Sequence, residues 1–382
     1  MATRHLDIVG AGPAGLAAAL TARAGGTSAT VYEKRARAGT RFDGDFQGIE
    51  NWTTDEDTLA ELERMGIPLA FGPTAVREIV CFDSQGTPRR LSSANRPVFY
   101  LVKRGTSDDS LDTALVRQAL KAGTTIRWCT RLDHLRDPGI VAEGPHGADV
   151  IAVGHTFTTD MANGYYVALA ESLAPAGYAY LLVHEGCGTV ATCLYRAFHD
   201  ERRYLERTVD FFTRHAGLRW HEARAFGGSG SIFTPAVLRS GAQLYAGESA
   251  GLQDPLFGFG LRYALLSGHF AAQAWLAGSA DVYERLWRAR MRNFIRAGIT
   301  NRRMYELLGE RGRQFLMRHV IGGGDPHRIL QRIYRPSPMK VLLSGLAARG
   351  RKPRAVAPGC TCTWCRCRGG ECVWAAREQR AP

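Results

Sequence analysis

No run of 18 consecutive apolar residues occurs in this 382-residue chain, so the sequence offers no membrane-spanning helix. The N-terminus leads straight into a strand-like segment. No signal peptide is therefore expected, and the expected compartment is the cytoplasm, with peripheral membrane contact left open. Cysteine is sparse outside one cluster: Cys81, Cys129, Cys187 and Cys193 are scattered and need be no more than small buried hydrophobes. No Ser/His/Asp set or carboxylate pair stands out. Acidic residues are scarce in the last hundred positions. Residues 283–382 hold 22 Lys and Arg against 6 Asp and Glu, whereas residues 1–282 hold 27 against 30. The net charge of +13 thus combines a body of −3 with an end of +16. No recognition motif accompanies that charge, so nucleic acid is not an expected partner.

What is present begins at residue 6. Leu6 to Val9 is a short apolar run without polar alternation, as expected for a strand buried on both faces of a parallel sheet. Gly10-Ala11-Gly12-Pro13-Ala14-Gly15 follows, then an Ala/Leu-rich helix pattern from Ala14 to about Ala24. Gly10 permits the sharp turn, Gly12 lets backbone N–H groups approach a pyrophosphate, and Gly15 lets helix and strand pack closely. A second strand, Ala29 to Tyr32, delivers Glu33 where a carboxylate accepts hydrogen bonds from a ribose hydroxyl. An acid there disfavours a 2′-phosphate. Strand, glycines, helix, strand and acid in this order point to dinucleotide binding, and the fingerprint serves NAD and FAD alike.

A second glycine-rich segment, Tyr245 to Trp275, decides between them. Gly247-Glu248 is followed by Ala250-Gly251, Pro255 and Gly258-Phe259-Gly260. A helical stretch from Leu261 to Trp275 then carries Ser267-Gly268 and Ala271-Ala272. As an ordered pair, the two segments resemble the FAD-binding stretches of the flavoprotein superfamily containing the para-hydroxybenzoate hydroxylase-type monooxygenases and the geranylgeranyl reductases. The resemblance implies an α/β fold: a Rossmann-type FAD-binding domain, an α+β substrate domain and a C-terminal helical extension. It implies Gly10, Gly12, Pro13, Ala14, Gly15, Glu33 and Lys34 at the nucleotide. Arg41 and Arg104 would sit by the cofactor, with Asp112 near a helix start. Gly247, Glu248, Pro255, Gly258, Phe259, Gly260 and Leu261 would serve the ribityl chain and flavin edge. Glu248 stands where the family carries Asp, and Glu143-Gly144 where it carries Asp-Gly. Residues 1–75, 98–155 and 236–280 would form the FAD domain, and 76–97 with 156–235 the substrate sheet. A basic helical extension would span 281–345 and a linker with a Cys-rich tail 346–382.

Between the glycine-rich ends, Gly177 to Thr192 has the alternating apolar pattern of sheet. Tyr178-Ala179-Tyr180-Leu181-Leu182-Val183, followed by Gly186 and Gly188, resembles the Tyr-x-Trp-x-Phe-Pro pocket stretch of geranylgeranyl reductases. Tyr replaces Trp, Leu replaces Phe, and the Pro is absent. The resemblance implies an aromatic, apolar pocket wall, with Tyr178, Tyr180 and His184 as candidate catalytic groups. The Trp-rich motif of tryptophan halogenases is not found.

Tyr283 to Val320 reads as long helices in which Arg285, Arg288, Arg292, Arg296, Arg302 and Arg303 interleave with Leu286, Trp287, Met291, Phe294 and Ile295. Two readings stand: helices packed on the flavin domain with an Arg-rich solvent face, or a surface for an anionic membrane. Cys360, Cys362, Cys365, Cys367 and Cys372 crowd the tail after a Pro/Gly/Arg-rich linker. They suggest a Zn²⁺ site, an Fe–S centre or an unliganded redox tail.

The expected activity is an FAD-dependent reductase acting on C=C bonds of a hydrophobic, isoprenoid or lipid-like substrate. An FAD-dependent monooxygenase using NAD(P)H and O₂ on an aromatic or polyketide-like substrate is the alternative, and a non-catalytic flavin scaffold acting through the Cys tail is a third. No second dinucleotide fingerprint occurs, so the electron donor is either NAD(P)H or a redox partner protein such as ferredoxin.

Overall fold

The computed structural model describes residues 4–67, 71–132, 134–135, 137–145, 148–232, 236–318 and 324–347. The linker beyond Ala347 and the five tail cysteines proposed as metal ligands lie outside the described residues.

Three sheets organise the described residues. The first runs in the order β15 (Arg239–Ser240), β16 (Gln243–Tyr245), β9 (Ile140–Val141), β1 (His5–Val9), β2 (Ser28–Tyr32) and β8 (Thr125–Arg127). From β16 to β8 all neighbours are parallel. Leu6, Ile8 and Val31 are fully buried, as the unbroken apolar runs require. Helix α1 (Pro13–Ala24) has proline in its first turn and buries every residue from Ala14 to Ala22. Its small side chains let α5 (Leu261–Leu276) come very close: a Cβ added at Gly268 would lie 2.0 Å from the Ala14 carbonyl oxygen. Helix α3 (Leu111–Lys121) starts at Ser110, whose Oγ accepts from the Thr113 N–H.

The second sheet runs β14 (His221–Gly230), β10 (Val150–Thr158), β13 (Cys187–Leu194), β12 (Tyr178–His184), β11 (Gly164–Ala168), β5 (Glu78–Phe82) and β6 (Pro88–Ser92). Only the β11–β5 pair is parallel. Helix α4 (Glu201–Ala216) presses Phe211 and Phe212 onto one face, against Phe82 and Phe157. A small antiparallel sheet, β3 (Phe46–Glu50), β7 (Phe99–Lys103) and β4 (Thr74–Val76), bridges the two larger ones. Asp57 caps the short helix α2 (Thr58–Arg64) beside it.

The C-terminal helices are α6 (Ala280–Trp287), α7 (Asn293–Leu316), α8 (Pro326–Tyr334) and α9 (Pro338–Ala347). A π-helical turn at Arg288–Arg292 joins the first two. Arg302, expected on a solvent face, is fully buried instead. Its Nη1 donates to the Leu256 carbonyl at 2.8 Å, Nη2 donates to the Ala176 carbonyl, and the guanidinium lies 4.0 Å from the Tyr195 ring centre. Arg313 is equally buried and meets Glu171 at 2.5 Å. Both side chains tie α7 to the sheet domain, which a charge pattern on one helix does not reveal. Helix α9 also carries on through Leu346 and Ala347, where the composition suggested linker.

His269 is buried between α5 and α1. Thr21 Oγ1 donates to the Ala17 carbonyl, so His269 Nδ1–H donates to Thr21 Oγ1 at 2.8 Å. Burial pushes the imidazole pKa down to about 4. The unfolded chain therefore takes up a proton near pH 6.5 that the folded chain refuses until about 4. Stability is full above that window and falls as pH drops through it. In urea titrations at pH 7 and pH 5, the native protein should lose about 2 kcal/mol more than His269→Gln. Equal losses would discard this account.

Candidate functional site

A cleft of about 780 Å³ lies where the three sheets and α8 meet. Its nucleotide end is built by the β1–α1 turn. Gly10 has φ +99°, and a Cβ there would sit 2.3 Å from the Ala142 carbonyl oxygen. Gly12 differs: an added Cβ meets nothing within 4 Å, and the residue lines the cleft at the N-terminus of α1. The first backbone bond of α1 runs from Leu16 N–H to the Gly12 carbonyl, so the N–H groups of Ala14 and Gly15 have no helical acceptor. Glu33 Oε2 accepts from Ala11 N–H and Oε1 from Arg35 N–H, both at 2.9 Å. These bonds orient the carboxylate, and each oxygen keeps a further lone pair. Lys34, Pro13 and Ala14 also line this end.

The second glycine-rich segment forms the middle of the cleft. Gly247 N–H donates to Ser267 Oγ at 2.8 Å, so that serine braces the loop. Glu248 pairs with Arg41 at 3.1 Å, and Arg41 also donates to the Ser229 carbonyl on β14. Arg104 is clamped by Asp112 through two 2.9 Å bonds, with its guanidinium 3.8 Å from the Phe42 ring centre. Its charge is therefore already neutralised within the protein. Gly258, Phe259, Gly260 and Leu261 line the cleft where α5 begins. That loop is held by Asp254, which the sequence reading passed over. Its carboxylate accepts from Leu256 N–H (3.0 Å), Phe257 N–H (2.8 Å) and Tyr334 Oη (2.7 Å). Burial pushes the Asp254 carboxyl up, against those bonds. A buried ion cluster beside it was also missed. Arg262 meets Glu50 at 3.0 Å and Glu61 at 2.6 Å, and Arg290 also reaches Glu61.

The far end of the cleft is apolar. Tyr178, Tyr180 and Leu182 of β12 line it, facing Phe99, Phe257 and Phe259. Pro326, Ile329, Leu330 and Ile333 of α8 close it. Their i, i+3, i+4, i+7 spacing was legible in the sequence but lay inside the basic region. Tyr178 Oη donates to the Phe257 carbonyl at 2.7 Å. Tyr180 Oη donates to no described residue. Burial pushes both phenols well above their ordinary range, and it pushes the Cys81 and Cys193 thiols up to about 12. All four groups are neutral near pH 7.

Three residues expected at the site do not line the cleft. A Cβ at Gly15 would fall 1.9 Å from the Gly10 carbonyl oxygen, so its part is helix–strand packing. Pro255 packs against Gly298 of α7. His184 bonds Thr74 Oγ1 and Tyr165 Oη, both at 3.1 Å, at the end of β12. Among the described residues, no group of three or more His, Cys, Asp or Glu is placed to hold a metal. No described helix is long and apolar enough to cross a membrane.

This arrangement is the fold of FAD-dependent oxidoreductases with a Rossmann-like nucleotide-binding domain. The sequence family described as NAD(P)-binding Rossmann-like domain matches residues 8–47. Among solved structures, a geranylgeranyl bacteriochlorophyll reductase-like protein from Thermoplasma acidophilum superposes with a TM-score of 0.66 at 19% identity, covering 91% of this chain and 96% of that one. The flavin-dependent brominase Bmp2 gives 0.58 at 13% identity, over 86% and 98% of the two chains. A probable FAD-dependent monooxygenase from Pseudomonas aeruginosa gives 0.59 at 14%, over 82% and 100%. Nothing matches among curated protein sequences.

Proposed function

We propose that the cleft binds FAD and that the chain is a reductase of C=C bonds in an isoprenoid or other lipid-like substrate. The carrying observation is that a dinucleotide cradle opens directly into a chamber walled by Tyr178, Tyr180, Leu182, Phe257, Leu330 and Ile333. The residues present fit the cofactor: the space over Gly12 is open, the first amides of α1 are unsatisfied, and Glu33 is aimed for a ribose. When bound, FAD would supply hydride to the substrate.

The chain's own groups account for the rest. The N-terminus of α5 at Gly260 and Leu261 favours negative charge beside it. Apolar walls exclude water and hold an alkene by contact alone, so discrimination per methylene is modest. Tyr180 Oη, which donates to no described residue, would release the proton, and its raised pKa restricts it to a strongly basic acceptor. Electrons would come from NAD(P)H or from a ferredoxin-like protein.

The test is anaerobic turnover of a polyprenyl substrate by the reconstituted protein. Products should gain hydrogen pairs without oxygen, and Tyr180→Phe should slow turnover about 100-fold with little change in KM. Oxygen-18 incorporated from O₂ into the product would instead establish a monooxygenase.

A further inference from the structure

The helical layer behind the chamber has its amphipathicity inverted. Helix α9 exposes Met339, Leu342, Leu343 and Leu346, between 40 and 76%, at the i, i+3, i+4, i+7 spacing of a single stripe. Its other side meets α7 through polar contacts: Ser344 Oγ accepts from Arg296 Nε at 2.9 Å, and the Lys340 carbonyl accepts from Thr300 Oγ1 at 2.7 Å. Those contacts lay α9 antiparallel along α7. Helix α7 adds exposed Met304, Leu307, Leu308 and Phe315. A helix on a water-facing surface carries such a stripe inward.

The charge on this layer has one sign. Arg303, Arg311, Arg318, Arg328, Arg332 and Arg335 are exposed. The acids of α7 to α9 are all half-buried and engaged. Glu306 pairs with Arg302 and Arg303, Glu310 accepts from Glu171 N–H, and Asp325 caps α8.

We infer that the α7–α9 face seats on an anionic lipid surface. Other occupants fit the chemistry less well. A second copy meeting through the same face would set this basic rim against itself. Residues 348–382 carry 8 Lys and Arg against 2 acids, the same sign again. A nucleic-acid backbone would use the arginines but leave the protruding aliphatic side chains unburied. Anionic headgroups answer the arginines while the acyl boundary takes Met339, Leu342 and Leu346. Helix α8 lies in the same layer, showing Arg328, Arg332 and Arg335 outward and Ile329, Leu330 and Ile333 to the cleft. Docking would therefore set the apolar chamber beside the bilayer, one helix away. It is independent of the redox chemistry, and binding alone reads it.

The experiment is co-sedimentation of the full chain with phosphatidylcholine vesicles, with and without phosphatidylglycerol. Binding should rise with phosphatidylglycerol and fall with added salt. Met339→Glu with Leu342→Glu should weaken partitioning about tenfold or more. Arg328→Gln with Arg332→Gln should blunt the response to phosphatidylglycerol. All four positions are exposed, and circular dichroism checks that each variant stays folded. The inference is overturned by absence of vesicle binding or by variants that bind like the native chain. It is also overturned if the Glu pair merely converts a dimer to monomer in sedimentation velocity, which would assign the face to a second copy.

Discussion

Gly12→Val should yield a folded protein that comes out of purification colourless. The substituted position has ordinary backbone angles, φ −84° and ψ 178°, and an added Cβ meets no atom of the protein within 4 Å. Stability of the cofactor-free chain should therefore change by no more than about 0.5 kcal/mol. The new methyl groups would nevertheless occupy the space beside the first amides of α1, where a pyrophosphate must approach. Titration with FAD should show affinity reduced about 1000-fold, equivalent to ~4 kcal/mol. Gly15→Val offers the contrast: its Cβ would overlap the Gly10 carbonyl, so that variant should fail to fold rather than fail to bind. Full FAD affinity in Gly12→Val would remove the cradle from the functional reading.

The second large effect belongs to Arg262. Its guanidinium is 2% exposed, and the carboxylates it meets, Glu50 and Glu61, are 2% and 0% exposed. Glu50 is further tied to the backbone N–H groups of Trp52 and Thr53. Arg262→Leu would leave two buried carboxylates: Glu61 keeps its pair with Arg290, which also meets Glu56, while Glu50 loses its arginine. Losing one partner of a buried ion pair costs about 3–5 kcal/mol, which is a large part of a domain's stability. Urea unfolding should show that loss, and adding Glu50→Gln and Glu61→Gln should recover more than half of it. A single variant within about 1 kcal/mol of the native chain would mean that water already satisfies these carboxylates.

Both ends of the nucleotide-binding region were legible because their signals are local. Strand, glycines, helix and acid follow one another within residues 6–33, and the structure places them as β1, the turn, α1, β2 and Glu33. Ser267-Gly268 was legible as a pattern but not as a role. The serine braces Gly247 and the glycine admits α1, so neither waits on a ligand. Tyr178 and Tyr180 reach the cleft because β12 presents alternate residues to one face; His184 shares that face but stands at the strand's end, where it bonds Thr74 and Tyr165 outside the cleft lining.

What stayed hidden depends on distance along the chain. Arg262 finds Glu50 and Glu61 some two hundred residues away, and no window of sequence connects them. Arg302 and Arg313 look like solvent-facing charges until the carbonyls and carboxylate they meet are brought alongside. The α8 wall was masked by arginines on its other side.

The contact between Ala14 and Gly268 also sets a timetable. Helix α1 leaves the ribosome early, but the helix that covers it arrives roughly 250 residues later, about 10–50 s at ~5–20 residues per second. Strand β9 is likewise a later-made neighbour of β1, and β16, later still, pairs with β9. The nascent N-terminal third must therefore wait with an alanine-lined face uncovered, a substrate for chaperones and proteases. The nucleotide pocket closes only when translation has passed α5, so the two glycine-rich segments mature together or not at all.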